Sequence, residues 1–328
     1  MASINDVAKR AKVAKSTVSL VVNNSGYVSA KTREKVEQAM RELNYVPSQL
    51  AKNLSSKHSN IVGIVMPDVM HPFFATFIKY AELRLYSCGY MTMVCSTVGR
   101  EQIEESYLDM LDRKAMDGII MGAHTLDIER YQKTTQPIVT LDRFIGDHIP
   151  VISSNHRQAA EKTVDILIKN QCKHVVQLVG TMILVKAEND YAVCCHELCI
   201  QHGIKVSQVE VGHNTFTADQ YQKAAEMVFQ LYPDVDAIVG VDMGIMACLD
   251  IAKKKKIKVP EELKLIAFDG TYITRIGERR LTAICQPIEE LANDCVDTIV
   301  HMIEGKPVEN KEIILDVSVQ NGDTTNGI

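Results

Sequence analysis

The residues best equipped for chemistry form two groups of different character. The first is a run near the amino terminus, Lys15, Ser16, Thr17, Ser19 and Asn23, in which a lysine, hydroxyls and an amide recur with no carboxylate between them. Short donors of this kind suit phosphate oxygens, and an acid-free surface avoids repulsion by a polyanion. The second group is dispersed: Asp68, His124, Asp142, Thr181, Asp242 and Asp269 each stand at the end of an apolar run. Ligands of open parallel sheets bind beyond the carboxyl ends of the strands. Several carboxylates converging there would accept hydrogen bonds from a neutral, hydroxyl-rich ligand and repel a phosphate. Phe73 and Phe74, in "HPFFATF", offer a ring face to a sugar. Acidic residues after strands also cap helices, and for each single Asp that alternative stays open.

The first group needs a helix to present it. Ile4, Val7, Ala8 and Ala11 repeat at helical spacing, Val13 stands alone, and Val18, Val21 and Val22 resume the pattern. This predicts two short helices joined by a turn at Lys12, Val13 and Ala14, with the small Ala8 allowing the close crossing of a helix-turn-helix. A third helix follows, with Ser29 as N-cap and Val36, Met40 and Leu43 on its apolar face. A recognition helix beginning at Lys15 projects Lys15 and Ser16 into a major groove, with Leu20 one turn further along. Residues 1–60 hold 10 Lys/Arg against 4 Asp/Glu and the remainder 26 against 37, so a basic head precedes an acidic body whose whole-chain net is −5. Pro47 and Ser48 start a further helix through Leu54, too short to be stable alone and therefore conditional.

The second group needs parallel strands. "NIVGIVMPD", "YMTMVCST", "DGIIMGAH", "PIVTLDR", "HVVQLVGT", "DAIVGVDM" and "LKLIAFDG" are continuous apolar runs separated by helical stretches, the pattern of strands buried on both faces. Two βαβ lobes with a cleft between them are expected. No 18-residue uncharged apolar segment and no leader-like start occurs, which places the chain in the cytoplasm without a membrane partner. The nine cysteines contain no CxxC pair, and Cys194, Cys195 and Cys199 point to different helix faces, so thiols rather than a metal site are expected. There is no nucleophile elbow, no GxGxxG and no GxxxxGK[ST], so neither an enzyme nor a bound cofactor is expected. The run Lys253 to Lys256 reads as the solvated end of a helix.

These features together resemble the lactose-repressor family of bacterial transcription regulators over essentially the whole chain, most closely in "DVAKRAKVAKSTVSLVVNNSGYVSAKTREKVEQAMRELNYVPSQLAKNL". The resemblance implies a small all-α helix-turn-helix head and an α/β core of two parallel-sheet lobes, like periplasmic binding proteins. The implied organisation is a head over 1–46, a hinge helix and linker over 47–59, and a core over 60–322. Its N-lobe covers about 60–154 and 287–316, its C-lobe about 155–284 and 317–322, and a polar tail 323–328 follows. By the same likeness Lys15, Ser16 and Leu20 read bases, and Thr17, Ser19, Asn23, Tyr27, Ser29 and Thr32 contact the DNA backbone. Leu54, with Ala51 at the close contact, enters the minor groove from a hinge helix formed on DNA. His71, Phe73, Asp142, Asp242, Asp269 and Gln286 match effector-pocket positions. The chain departs from the family at Lys12, where a Gly is usual, and at Leu20, where an Arg is frequent. In the pocket it departs at Asp190, where an arginine that holds effector hydroxyls is usual, and at Val241, where an Asn is usual.

The expectation is a homodimeric repressor of a palindromic double-stranded operator, released by a sugar in the cleft. "DGIIMGAH", "IPVISSN" and "IAFDGT" look closest to repressors of sucrose-utilisation operons. With no leucine heptad after Val319, a dimer rather than a tetramer is expected. Two rivals are a global carbon-catabolite regulator that uses a phosphoprotein corepressor and a cytosolic sugar-binding protein.

Overall fold

The computed structural model describes residues 2–46, 58–98, 102–123, 128–180, 190–212 and 217–328. The chain divides into two compact units, Met1–Asn60 and Ile61–Ile328. In the first, α1 (Ile4–Ala11) is opened by a capping box in which Ser3 and Asp6 satisfy each other's backbone N–H. Lys12 then turns the chain with φ 56°, its N–H reaching back to the Ala8 and Lys9 carbonyls. The reversal leads into α2 (Lys15–Val22) and, after Ser29 accepts the Thr32 N–H, into α3 (Ala30–Glu42). Val7, Ala8, Ala11, Val18, Val21, Val36 and Ala39 form its core.

The second unit holds two six-stranded sheets. β1 (Ile61–Met66), β2 (Met91–Ser96), β3 (Gly118–Met121), β4 (Ile138–Leu141) and β5 (Val151–Ser154) are joined in the N-lobe by β11 (Glu312–Leu315), all parallel, in the order β11-β5-β4-β3-β1-β2. The C-lobe orders β12 (Ser318–Gln320), β10 (Thr282–Cys285), β9 (Lys264–Asp269), β8 (Ala237–Val241), β6 (His174–Val179) and β7 (Lys205–Glu210). Only the β10/β12 pair is antiparallel there. The core helices are α4 (Pro72–Ser87), α5 (Ile103–Asp112), α6 (Ile128–Gln132), α7 (His156–Lys169), α8 (Tyr191–Gln201), α9 (Ala218–Leu231), α10 (Asp242–Lys254) and α11 (Ile288–Ile303).

All seven continuous apolar runs are strands. The five strands they did not include are short or lie near a sheet edge; β7, "KVSQVE", buries only Val209 and so carries no continuous apolar signal. The chain changes lobe between β5 and α7, between β10 and α11, and between β11 and β12. α11 crosses back to pack on α4 in the N-lobe core with Leu291, Cys295, Val296 and Ile299 fully buried.

The expected polar tail at 323–328 is corrected by the structure: it is part of the C-lobe. Thr324 is fully buried, accepts the Thr282 N–H at 2.9 Å and donates to the Leu265 carbonyl at 2.7 Å. Asn170 clamps the end by accepting the Asn326 N–H and donating to the Gly327 carbonyl. Gly322 lets this strap press on the backbone of Leu281 and Thr282, where a Cβ would stand 2.3 Å from Leu281. Composition marked the segment as solvated, but its hydroxyls and amides serve as partners for buried backbone groups. Among the described residues all nine cysteines are free thiols, no cluster suits a metal ion, and no helix is long and apolar enough to cross a membrane.

Candidate functional site

On the head, Lys15, Ser16, Asn23, Tyr27 and Ser29 are exposed, and Tyr27 is 93% so, with no packing reason to stand in water. Thr17, Ser19, Leu20 and Thr32 are half-buried. Val18 and Val21 turn into the core, which fixes α2 with Lys15, Ser16 and Leu20 facing out. Asn23 donates to Ser19 Oγ at 3.3 Å, and Ser29 Oγ lies 2.9 Å from Thr32 Oγ1 while capping α3. Leu20 rests against the Gly26 turn, its Cδ2 3.2 Å from where a Cβ would stand. Ala51 and Leu54 lie outside the described residues, as do His124 and Thr181.

In the core, the structure gathers Asp142, Asp269 and Gln286 around one polar chain between the lobes. Ser154, at the end of β5, donates to Gln286 Oε1 at 2.8 Å, and Gln286 Nε2 donates to Asp269 Oδ1 at 2.7 Å. Asp142 accepts the Ser154 N–H at 3.1 Å and pairs with His156 Nε2 at 3.0 Å, so a side chain from the C-lobe helix α7 meets an N-lobe strand end. Both carboxylates sit on backbone at positive φ, 59° for Asp142 and 113° for Asp269. Such strain persists only where its surroundings hold it, and it clusters at binding sites.

Asp269 Oδ2 is buried without a hydrogen-bond partner among the described residues. Burial raises the Asp269 carboxyl well above the usual carboxylate range, the Asp242 charge adds to this, and the Gln286 hydrogen bond opposes it. An acceptor left open in a closed cleft awaits a ligand donor or keeps its proton. For His156, burial disfavours the imidazolium, but the Asp142 charge and hydrogen bond outweigh it and the net shift is upward.

Asp242 has a different task. Its carboxylate takes the Gly270 N–H at 3.1 Å, the Thr271 N–H at 2.7 Å and the Thr271 hydroxyl at 2.6 Å, and it is 1% exposed. Burial pushes it up to about 6 against these donors. Asp242, which the likeness places in the effector pocket, thus pins the loop after β9 in this structure. That loop folds this way because Gly270 takes φ +64° beside Cys285, where a Cβ would stand 2.3 Å from Sγ.

Phe73 is corrected too: it is 5% exposed and packs into the N-lobe core, because helical spacing puts Phe73 and Phe77 on the inward face of α4. Phe74 is half-buried against the margin of the same core, edge-on to Phe73 and 5.3 Å from the His71 ring. His71 precedes α4, and burial lowers its pKa to about 4, opposed by Asp68.

Sequence reasoning missed Arg143, Ser154, His156, Tyr191 and Phe268. Tyr191 stacks on Phe268 with centroids 4.1 Å apart and planes at 8°, and His156 lies 5.9 Å from the same ring. Arg143 was adjacent to a chosen residue in "TLDR", while Ser154 ends the unrecognised strand β5 and His156 follows it. Reading "VISSNHR" as strand end and N-cap would have found both.

Residues 3–48 match the lacI family of bacterial regulatory proteins, and residues 59–316 match the periplasmic binding proteins and sugar binding domain of the LacI family. The chain belongs to the lacI family. Members of this family are transcription regulators, not enzymes. Among its relatives, the sucrose operon repressor of Streptococcus mutans is 31% identical over 99% of both chains. The ribose operon repressor of Halalkalibacterium halodurans is 30% identical over 100% of this chain and 98% of its own. In fold, the chain is similar to the Lac repressor dimer bound to operator and the anti-inducer ONPF, with a TM-score of 0.85, 24% identity and 99% of both chains covered.

Within the lacI family the departures now have positions. Lys12 is the left-handed residue of the helix-turn-helix. Asp190 caps α8, its Oδ1 accepting the Ala192 and Val193 N–H groups at 2.8 and 3.1 Å. Val241 precedes α10 and offers no polar group to the cleft.

Proposed function

We propose that this protein represses a sugar-utilisation operon and releases its operator when a sugar fills the cleft between the lobes of the core. Two copies bind a palindromic operator, each laying α2 in a major groove with Lys15, Ser16 and Leu20 against base edges. Thr17, Ser19, Asn23, Tyr27, Ser29 and Thr32 hold phosphates, and Leu54 with Ala51 beside it wedges the minor groove from the hinge. The protein acts in the cytoplasm, where the operator is. The sugar hydroxyls are held by Asp142, Asp269 and Gln286, with Phe74 and His71 bounding the ring.

The observation that carries this reading is the open, buried acceptor Asp269 Oδ2, held between lobes in the same chain as an exposed helix-turn-helix face. Closing on a sugar shifts the lobes against each other and biases the hinge helix, which is coupling through a conditional element. The names of the sucrose and ribose operon relatives favour a sugar over another polyhydroxyl compound.

The test is a gel-shift titration on operators selected from random DNA, with and without sucrose, ribose and other sugars. One sugar should weaken operator binding, and Leu54→Ala should remove most specific affinity while sparing weak nonspecific binding. Operator affinity indifferent to every sugar and to Leu54→Ala would sink the reading.

A further inference from the structure

The sequence contains Asn–Gly twice, at Asn321–Gly322 and Asn326–Gly327, and both pairs lie in the strap that closes the C-lobe. Two residues of these types in this order carry a chemistry of their own. The backbone nitrogen of the glycine, once it loses its proton to hydroxide, attacks the side-chain carbonyl carbon of the asparagine and closes a five-membered ring. The attack is intramolecular and needs no catalyst. Glycine permits it because no Cβ shields the nitrogen or restricts the turn that ring closure demands. The fold decides whether each glycine nitrogen is free to move onto its asparagine.

The two pairs differ in that freedom. Gly322 is pressed on the backbone of Leu281 and Thr282, and its flanks are fixed as well. Gln320 pairs with Ala283 across β10 and β12, while the Asp323 N–H donates to the Arg280 carbonyl and its carboxylate accepts the Arg280 N–H. Closing a ring at Asn321 would lift Gly322 off Leu281 and break this ladder. Around Gly327 there is open space, since a Cβ there would meet nothing within 4 Å. Asn326 is exposed, and among the described residues neither its side chain nor the Gly327 N–H has a hydrogen-bond partner. Asn170 grips only the outer ends of the pair, the Asn326 N–H and the Gly327 carbonyl, and leaves the linking N–H unclaimed.

We propose that Asn326 is a site of spontaneous deamidation, which Asn321 escapes, and that its conversion loosens the strap from the C-lobe. The Gly327 nitrogen loses its proton and bonds to Asn326 Cγ, and the side-chain nitrogen leaves as ammonia, giving a succinimide. Water then opens the ring. Breaking the bond from nitrogen to Cγ leaves an aspartate in the normal chain, and breaking the bond to the main-chain carbonyl leaves an isoaspartyl link that runs through Cγ. One water is consumed and one ammonia released, with no change of oxidation state. The isoaspartyl link adds one carbon, about 1.5 Å, to the main chain between the two groups that Asn170 grips. The clamp cannot keep both hydrogen bonds across the longer link.

Incubation of the full chain in mildly alkaline buffer, followed by tandem mass spectrometry of its peptides, tests the proposal. In the folded chain Asn326 should convert at least tenfold faster than Asn321, each event raising the mass by one unit. In urea the two should convert within about twofold of each other, since only the fold distinguishes them. The isoaspartyl form, separated by ion exchange through its added negative charge, should melt below the unconverted chain, and Asn326→Gln should abolish conversion at that position. Asn321 converting as fast as Asn326 in the folded chain overturns the assignment. A folded chain in which neither converts, over a time in which both convert in urea, overturns it equally. An isoaspartyl form that melts with the unconverted chain overturns the loosening of the strap.

Discussion

Asp269 holds its place at a cost. Its carboxyl is raised by burial and by Asp242, so the charged form is less favourable in the folded chain than in the unfolded one. A group with a raised folded pKa contributes stability below its unfolded value, near 3.8, and loses that contribution as pH rises through the folded value. Asp269→Asn removes the charge and keeps an acceptor for Gln286. Relative to wild type, its melting temperature should therefore climb between pH 5 and pH 8, and a gap that stays constant or narrows would refute the assignment. Leu20 offers a second residue-scale prediction. It covers the Gly26 turn with a side chain that reads no base by hydrogen bonds. Leu20→Arg supplies a guanine-reading fork worth about 1 to 3 kcal/mol at one base pair. Site selection from random DNA should show a new guanine preference at one position of each half-site, and identical selected sites would displace α2 from its role.

At the scale of elements, the core depends on segments that return late in the chain. β11, β12 and the carboxyl-terminal strap each complete a sheet built from residues far earlier. Thr324→Ala leaves the buried Thr282 N–H and Leu265 carbonyl without their side-chain partner, at about 1 to 3 kcal/mol for each group. Denaturant unfolding of the core should show a loss of about 2 to 6 kcal/mol, with no such loss if the strap is a loose tail. The helix-turn-helix shows the opposite economy. Its turn needs only Lys12 in a left-handed conformation, at about 1 to 2 kcal/mol, and seven small aliphatic residues in its core.

For the whole molecule, charge polarity matters more than net charge. A head with six more basic than acidic residues precedes a body with eleven more acidic than basic, so the body is repelled by the duplex that the head seeks. Operator affinity should fall steeply and linearly on a log–log plot against salt, with a slope of about −0.9 per phosphate neutralised. Sugar binding to the core should be nearly indifferent to salt, since Asp142 and Gln286 act through hydrogen bonds that are part-buried at Asp142 and buried at Gln286. A flat operator titration between 50 and 200 mM salt, on the order of the range where such contacts lose a thousandfold, would contradict the basic face as the DNA surface.

The sequence by itself determined the helix-turn-helix and the seven strands with continuous apolar runs, because local periodicity and capping decide these over a few residues. Lys15, Ser16, Asn23 and Tyr27 were legible as a surface for the same reason: Val18 and Val21 must face inward, so their neighbours cannot. Asp269 and Gln286 were legible as strand-end and post-strand residues, but their partners were not. Whether a strand-end carboxylate faces a ligand or its own loop depends on which N–H groups the tertiary fold delivers to it. Gly270 and Thr271 reach Asp242, and no described residue hydrogen-bonds to Asp269 Oδ2. Phe73 and Phe74 are adjacent and alike in sequence; only the packing of α4 on the sheet buries one within the core and leaves the other half-buried at its margin. Arg143, Ser154 and His156 lie close in sequence, and the crossing from β5 to α7 brings them to one opening that Asp190 and Lys311 complete from elsewhere in the chain. No window of sequence contains that opening, since contacts between residues far apart in the chain create it.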